Sequence, residues 1–261
     1  MAPPDSPYVL IHREDDVVTL TLNRGEKFNP LSEEMLAALQ SEIDKLAADK
    51  IARVVVLAAS GKAFCAGHDL KQMRASPSAA YYKKLFDQCS KLMLSIQQLP
   101  QPVIARVQGI ATAAGCQLVA MCDLAVASTE AKFAVSGVNY GLFCSTPSVG
   151  LSRNVSRKQA MEMLLTGEFI DAETACERGL VNRVVPEAQL DQEIAALTSS
   201  ILAKPAVAIS MGKQLFYRQL EMGTAAAYQL AGETMACNMM DEAALEGVQA
   251  FIEKRAPSWK R

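Results

Sequence analysis

Two segments rich in small residues, GKAFCAGHDL at 61–70 and VQGIATAAGCQLVAM at 107–121, could present backbone N–H groups to an oxygen that gains negative charge. In the first, Ala66 and Gly67 let another group come close to the main chain. In the second, small residues give way to a predicted helix, whose first N–H groups have no partner inside it and face outward. Either segment alone also reads as a close-packing turn.

Other reactive side chains are few. With His12 and His68 the only histidines, hardly any histidine-based triad can be drawn. The chain has no phosphate-binding GxxxxGK[ST] loop, no HExxH zinc motif, no GxSxG elbow and no GxGxxG turn. Nor does any histidine, cysteine and carboxylate cluster show metal-ligand spacing, so no metal is expected. Cys144 could act as a thiolate if a helix end or a cation lowers its pKa from about 8.5, and otherwise reads as a buried, inert thiol. Asp123 reads as a tie to backbone N–H groups. Met235, Met239 and Met240 read as helix core or a contact between subunits. Asn154 opens a sequon, which a cytosolic chain would leave unglycosylated.

The elements that must position these residues follow from periodicity. Residues 8–12 and 17–22 are β-rich runs around an acidic turn and predict a hairpin. Ser32 can cap a helix in which Glu33 and Glu34 suit the positive end and Met35, Leu36, Leu39, Ile43 and Leu46 share one face. The VVVLAA run within 53–59 predicts a fully buried strand. Further strands are expected at 102–107, 124–127 and 181–185, with helical stretches between, which predicts an α/β domain. After residue 185 only helix-period runs remain, near 188–203, 206–220, 224–239 and 242–254, with Pro186 and Pro205 as punctuation. The expected organisation is therefore a core over 1–186 and a C-terminal helical region over 187–261.

The 261 residues are half apolar, enough to bury a substantial core. A net charge of −2 with both signs mixed gives no basic stripe, so nucleic acid is not an expected partner. No run reaches the roughly 18 apolar residues of a membrane span, and no targeting segment is apparent at the N-terminus. Seven scattered cysteines without a CxxC pair suit reduced thiols. Together these point to a cytoplasmic protein with no membrane partner.

The order and spacing of LNR and FNPLS (22–32), GKAFCAGHDL (61–70), AGCQLVAMCD (114–123), AKF (131–133), AMEMLLTGEFIDAETACERGLVNRVVP (160–186) and FIEKRAP (251–257) resemble the enoyl-CoA hydratase/isomerase, or crotonase, family over almost the whole chain. The GLFCSTP run (141–147) is similar to a branch of that family whose chemistry is poorly defined. The resemblance implies an α/β fold built as a crotonase-like spiral of ββα units with a C-terminal helical region. It implies assembly as a homotrimer or a dimer of trimers, and a lyase or isomerase of fatty acid metabolism.

The resemblance also implies acyl-CoA thioester substrates, with coenzyme A as part of the substrate and no permanently bound cofactor. It places the oxyanion N–H groups at His68 and Ala114 and does not require the His68 side chain. Lys27, Phe28, Ala66, His68, Asp69, Leu70 and Lys71 would line the coenzyme A pocket. The family's two catalytic glutamates fall at Gln117 and Gly137, so ordinary hydration of a 2-enoyl thioester is not expected. Other family members carry a working side chain farther along the loop, around Phe143, Cys144, Ser145 and Thr146, which leaves open altered chemistry, thioester cleavage or binding without turnover. Restoring glutamate at positions 117 and 137 together is expected to raise hydration.

Overall fold

The computed structural model describes residues 6–259. The strands in chain order are β1 (Val9–Glu14), β2 (Val17–Leu22), β3 (Val54–Ala59), β4 (Ala63–Cys65), β5 (Val103–Val107), β6 (Ile110–Thr112), β7 (Leu124–Ser128), β8 (Lys132–Ala134), β9 (Ile170–Asp171) and β10 (Arg183–Val185). The helices are α1 (Glu33–Ala48), α2 (Leu70–Ala75), α3 (Ala79–Gln98), α4 (Ala114–Met121), α5 (Ser145–Leu151), α6 (Arg157–Thr166), α7 (Ala172–Glu177), α8 (Leu190–Leu202), α9 (Ala206–Leu220), α10 (Thr224–Met239) and α11 (Glu242–Ile252).

Six strands form one sheet in the order β1-β2-β3-β5-β7-β10, and four short ones form a second, β4-β6-β8-β9. Both are parallel except for the β1–β2 hairpin and the β8–β9 pair. The chain visits the sheets alternately. β3, β5 and β7 each hand over to a neighbour in the small sheet (β4, β6 and β8), and helices then carry it back, which is a crotonase-like spiral of ββα units.

The predicted elements form for the predicted reasons. Ser32 accepts the Met35 N–H at 3.2 Å, and the five apolar residues of α1 are all buried. Every residue of β3 is buried, because helices and the second sheet cover both of its faces. The four C-terminal helices stand where the periodicity puts them. Two differences are physical. The second sheet, which the ββα resemblance implies, does not declare itself in the periodicity, and the strand expected at 181–185 spans Arg183–Val185, with Leu180 and Val181 buried ahead of it.

Met235 and Met240, 70% and 78% exposed, are not helix core in this chain. Asn154 is structural: its amide donates to the Ala120 and Gly150 carbonyls at 2.8 Å each.

The helical region is fastened to the spiral by an apolar core and a buried ion pair, with surface pairs such as Arg106–Asp191 beside them. Leu190 and Ile194 of α8 join Val54, Val56, Ile104 and Val126 in a core on one face of the large sheet. On α9, the buried Lys213 ammonium lies 2.6 Å from Asp123 and also donates to the Ile96 and Gln101 carbonyls. Asp123 further accepts the Val103 N–H at 2.6 Å and the Tyr217 hydroxyl at 2.8 Å. It is thus a backbone tie, as its sequence context suggests, and a buried ion-pair partner as well.

Candidate functional site

Three loops meet at the ends of the short strands, and each is held by its own hydrogen bonds. Asn29, buried and at φ 51°, donates its amide to the Ser60 and Ala63 carbonyls and accepts the Arg24 N–H. Asparagine tolerates that left-handed backbone better than most residues. The loop it shapes laces the turn after β4 from both sides: Ala66 donates to the Phe28 carbonyl at 3.0 Å and Leu31 to the Gly67 carbonyl at 2.8 Å. Gln108 pins the approach to β4 by donating to the Ala59, Gly61 and Ala63 carbonyls.

The second turn, between β6 and α4, is held to β8 by the Ala113 N–H on the Ala134 carbonyl at 2.9 Å and by a Thr112–Ser136 hydroxyl bond of 2.9 Å. Ala113 itself sits at φ 51° and ψ −120°, a strained conformation for a residue with a side chain. The first and second turns are in contact. Gly67 has φ +88°, and a Cβ there would lie 3.0 Å from the Ala113 Cβ and 3.3 Å from the Ala114 nitrogen. Among the described residues, neither the His68 nor the Ala114 amide donates to a protein acceptor.

Both turns line one cavity of about 170 Å³, shared with α2, α3 and the loop 136–147. Of the residues singled out from sequence, Ala66, His68, Leu70, Ala114, Gly137, Phe143, Cys144, Ser145 and Thr146 face it. Lys27, Phe28, Asp69 and Lys71 flank it without lining it. Asp69 caps α2 by accepting the Lys71 and Gln72 N–H groups, and the Phe28 ring is half-exposed.

Gln117 is buried behind the cavity on α4, and its Oε1 has no partner among the described residues. Sequence reasoning missed Met73, Phe86, Ser136, Tyr140 and Leu142. Phe86 left no signal, since it lies off the buried stripe of α3 formed by Leu85, Cys89, Leu92, Met93 and Ile96.

The electrostatics are those of a neutral pocket. Among the described residues no lysine, arginine, aspartate or glutamate lines it. Burial lowers the His68 pKa to about 4, and the ring meets Phe86 edge-on with centroids 5.5 Å apart. Burial raises the Cys144 pKa, although the Gly137 N–H, 3.3 Å from its sulfur, acts in the opposite direction. Cys116, beneath it, is pushed up to about 12 by burial. Cys144 does stand at the N-terminus of α5, the kind of helix end that favours a thiolate, but burial outweighs it and its pKa lies above the ordinary thiol value.

Position 137 has no room for a side chain. A Cβ there would stand 2.3 Å from the Leu142 carbonyl oxygen and 2.8 Å from the Cys144 sulfur. The expectation that glutamate could simply be restored at this position is corrected accordingly, because the loop has closed over the space.

His68 gives the fold a pH dependence. Between its ordinary 6.5 and about 4, the unfolded chain binds a proton there that the folded chain refuses. Its stability contribution is thus complete above pH 6.5 and lost as pH falls toward 4, by about 3 kcal/mol in total. Urea unfolding of wild type and His68→Gln at steps from pH 7 to 4 checks this. The variant should lose distinctly less stability over that window, and parallel curves would contradict the assignment.

The family model for enoyl-CoA hydratase/isomerase matches residues 12–261. Among curated proteins, the chain is 43% identical to the mitochondrial enoyl-CoA hydratase domain-containing protein 3 of Rattus norvegicus, over 95% of this chain and 82% of that protein. It is 34% identical to a putative enoyl-CoA hydratase of Thermus thermophilus, over 92% of this chain and 96% of that one.

Among solved structures, an enoyl-CoA hydratase of Mycobacterium smegmatis is 65% identical with a TM-score of 0.96, covering 97% of this chain and 99% of its own. Human enoyl-CoA hydratase domain-containing protein 3 is 44% identical with a TM-score of 0.93, covering 97% of this chain and 100% of its own.

These relatives correct the cytoplasmic expectation, since the rat, frog and human proteins of this branch are named as mitochondrial. Cysteine usage reports the redox poise of a compartment without naming the compartment. With the ββα spiral, the match over nearly the whole chain and these relatives in agreement, the chain belongs to the enoyl-CoA hydratase/isomerase family, in its enoyl-CoA hydratase domain-containing protein 3 branch.

Proposed function

We propose that the cavity receives the acyl group of an acyl-CoA thioester and that the His68 and Ala114 N–H groups polarise its carbonyl as an oxyanion hole. The observation that carries this reading is the junction of the two turns. It brings two amides without protein acceptors to one apolar pocket, which is what stabilising a developing oxyanion requires. Lys27, Phe28 and Lys71, outside the cavity, would receive parts of the coenzyme A moiety. Removing one such donor typically costs about 100- to 1,000-fold in rate, so two form a strong electrophilic site without any metal.

Proton transfer is the weak side of this site. Hydration needs a base for water and an acid for the α carbon, yet position 117 carries an amide and position 137 no side chain. His68, neutral and far below its ordinary pKa, is a poor base. The protein is accordingly an acyl-CoA binder that polarises the thioester, with ordinary 2-enoyl-CoA hydration slower by about 100-fold or more than a paired-carboxylate site would give.

Calorimetric titration with acetyl- and butyryl-CoA, beside a mass-spectrometric assay of crotonyl-CoA hydration, tests both halves. Binding with minimal hydration is expected. Absence of binding overturns the site, and brisk hydration overturns the account of positions 117 and 137.

The exposed apolar residues Phe216, Leu220, Tyr228, Met235 and Phe251 on α9, α10 and α11 favour self-association through the helical region, as a trimer or a pair of trimers. A monomeric mass by light scattering would rule that out.

A further inference from the structure

The cavity is small for a thioester site and its walls are uncharged. Its roughly 170 Å³ is close to the ~150 Å³ of an engineered apolar cavity that holds benzene. Met73, Phe86, Leu142 and Phe143 are among its apolar walls. The space beside Gly137 is not available to a ligand, because the Leu142 carbonyl and the Cys144 sulfur fill it.

The polar side chains that reach the cavity offer hydrogen bonds and no charge. The Ser136 hydroxyl is already engaged with Thr112, the Cys144 sulfur with the Gly137 N–H and the Ser145 hydroxyl with the Phe143 carbonyl, while Tyr140 and Thr146 add hydroxyls and no charge. The His68 ring, set against Phe86, is held neutral by burial. An anionic group carried into this space would lose its water and gain no counter-charge.

Resting on the thioester reading above, we propose that the site selects short, uncharged acyl groups of about six non-hydrogen atoms or fewer, and discriminates against acyl groups that end in a carboxylate. Each methylene that enters the cavity strengthens binding by about fourfold. At the mouth of the cavity a methylene meets Tyr140 and Leu142, which are 76% and 48% exposed, and gains little. A buried, unpaired carboxylate weakens binding by about a hundredfold or more.

The test is a series of dissociation constants for acetyl-, butyryl-, hexanoyl-, decanoyl- and succinyl-CoA on the full chain. Affinity should climb about fourfold per methylene from acetyl to butyryl and level off by hexanoyl. Succinyl-CoA should bind about a hundredfold more weakly than butyryl-CoA. In Phe86→Ala, checked by circular dichroism for a native fold, the plateau should move to longer chains.

Affinity that keeps rising to decanoyl, or succinyl-CoA binding as well as butyryl-CoA, overturns the selectivity and leaves the thioester site standing. A plateau unmoved in a folded Phe86→Ala protein also overturns it, since the ring would then not set the limit. Failure of every ester to bind, acetyl-CoA included, overturns the thioester reading and this inference together.

Discussion

Gly115→Ala should abolish measurable acyl-CoA binding and destabilise the fold by about 3 kcal/mol. A Cβ at Gly115 would stand 2.1 Å from the Cys65 carbonyl oxygen and 2.8 Å from the Cys65 Cβ. The nearest obstacle is main chain, so no rotamer change relieves it, and α4 must move away from β4 as a body. Ala114 is the residue before it and Cys65 lies three residues before His68, so the same displacement separates the two amides. Thermal unfolding and acetyl-CoA titration measure the two effects. A variant that binds within fivefold of wild type would show that α4 and β4 can part without opening the site.

Lys213→Met should cost about 3–5 kcal/mol, with little direct effect on the pocket chemistry. It would leave the Asp123 carboxylate, 14% exposed, with the Val103 N–H and the Tyr217 hydroxyl but without its cation. Burial lowers the Lys213 pKa and Asp123 raises it again, and burial followed by the Asp123 charge drives the Tyr217 hydroxyl far above its ordinary range. The three side chains are therefore one coupled unit joining α9 to the spiral. Adding Asp123→Leu to Lys213→Met removes the stranded charge and should recover part of the loss, since apolar replacement of a buried pair is often near neutral. Urea unfolding of the two single variants and the double variant closes the cycle, and a Lys213→Met cost below about 1 kcal/mol would contradict a buried ion pair.

What could be read from the chain is what short-range periodicity encodes. The hairpin, the Ser32-capped α1, the VVVLAA strand and the four C-terminal helices each declare themselves within about ten to twenty residues. The small sheet does not. β4, β6, β8 and β9 are two or three residues long, too short for a period to show, and exist because partners tens of residues away pair with them.

The candidate site divides in the same way. Ala66, Gly67 and Ala114 are visible as small residues at turns, whereas the contact between Gly67 and Ala113 belongs to the spiral. Gly137 is visible as a missing side chain, but the occupation of its space by Leu142 and Cys144 is not. Asp123 is legible as a backbone tie, and its partner Lys213, 90 residues farther on, is not.

If two amide groups polarise one carbonyl as proposed, infrared spectroscopy of acetyl-CoA labelled with carbon-13 at the thioester carbonyl observes that bond itself. On binding to the protein, the labelled carbonyl stretch should move to lower frequency than in water, as two preorganised N–H donors draw charge onto the oxygen. A bound carbonyl whose stretch stays at its solution frequency, or rises, would contradict the oxyanion hole.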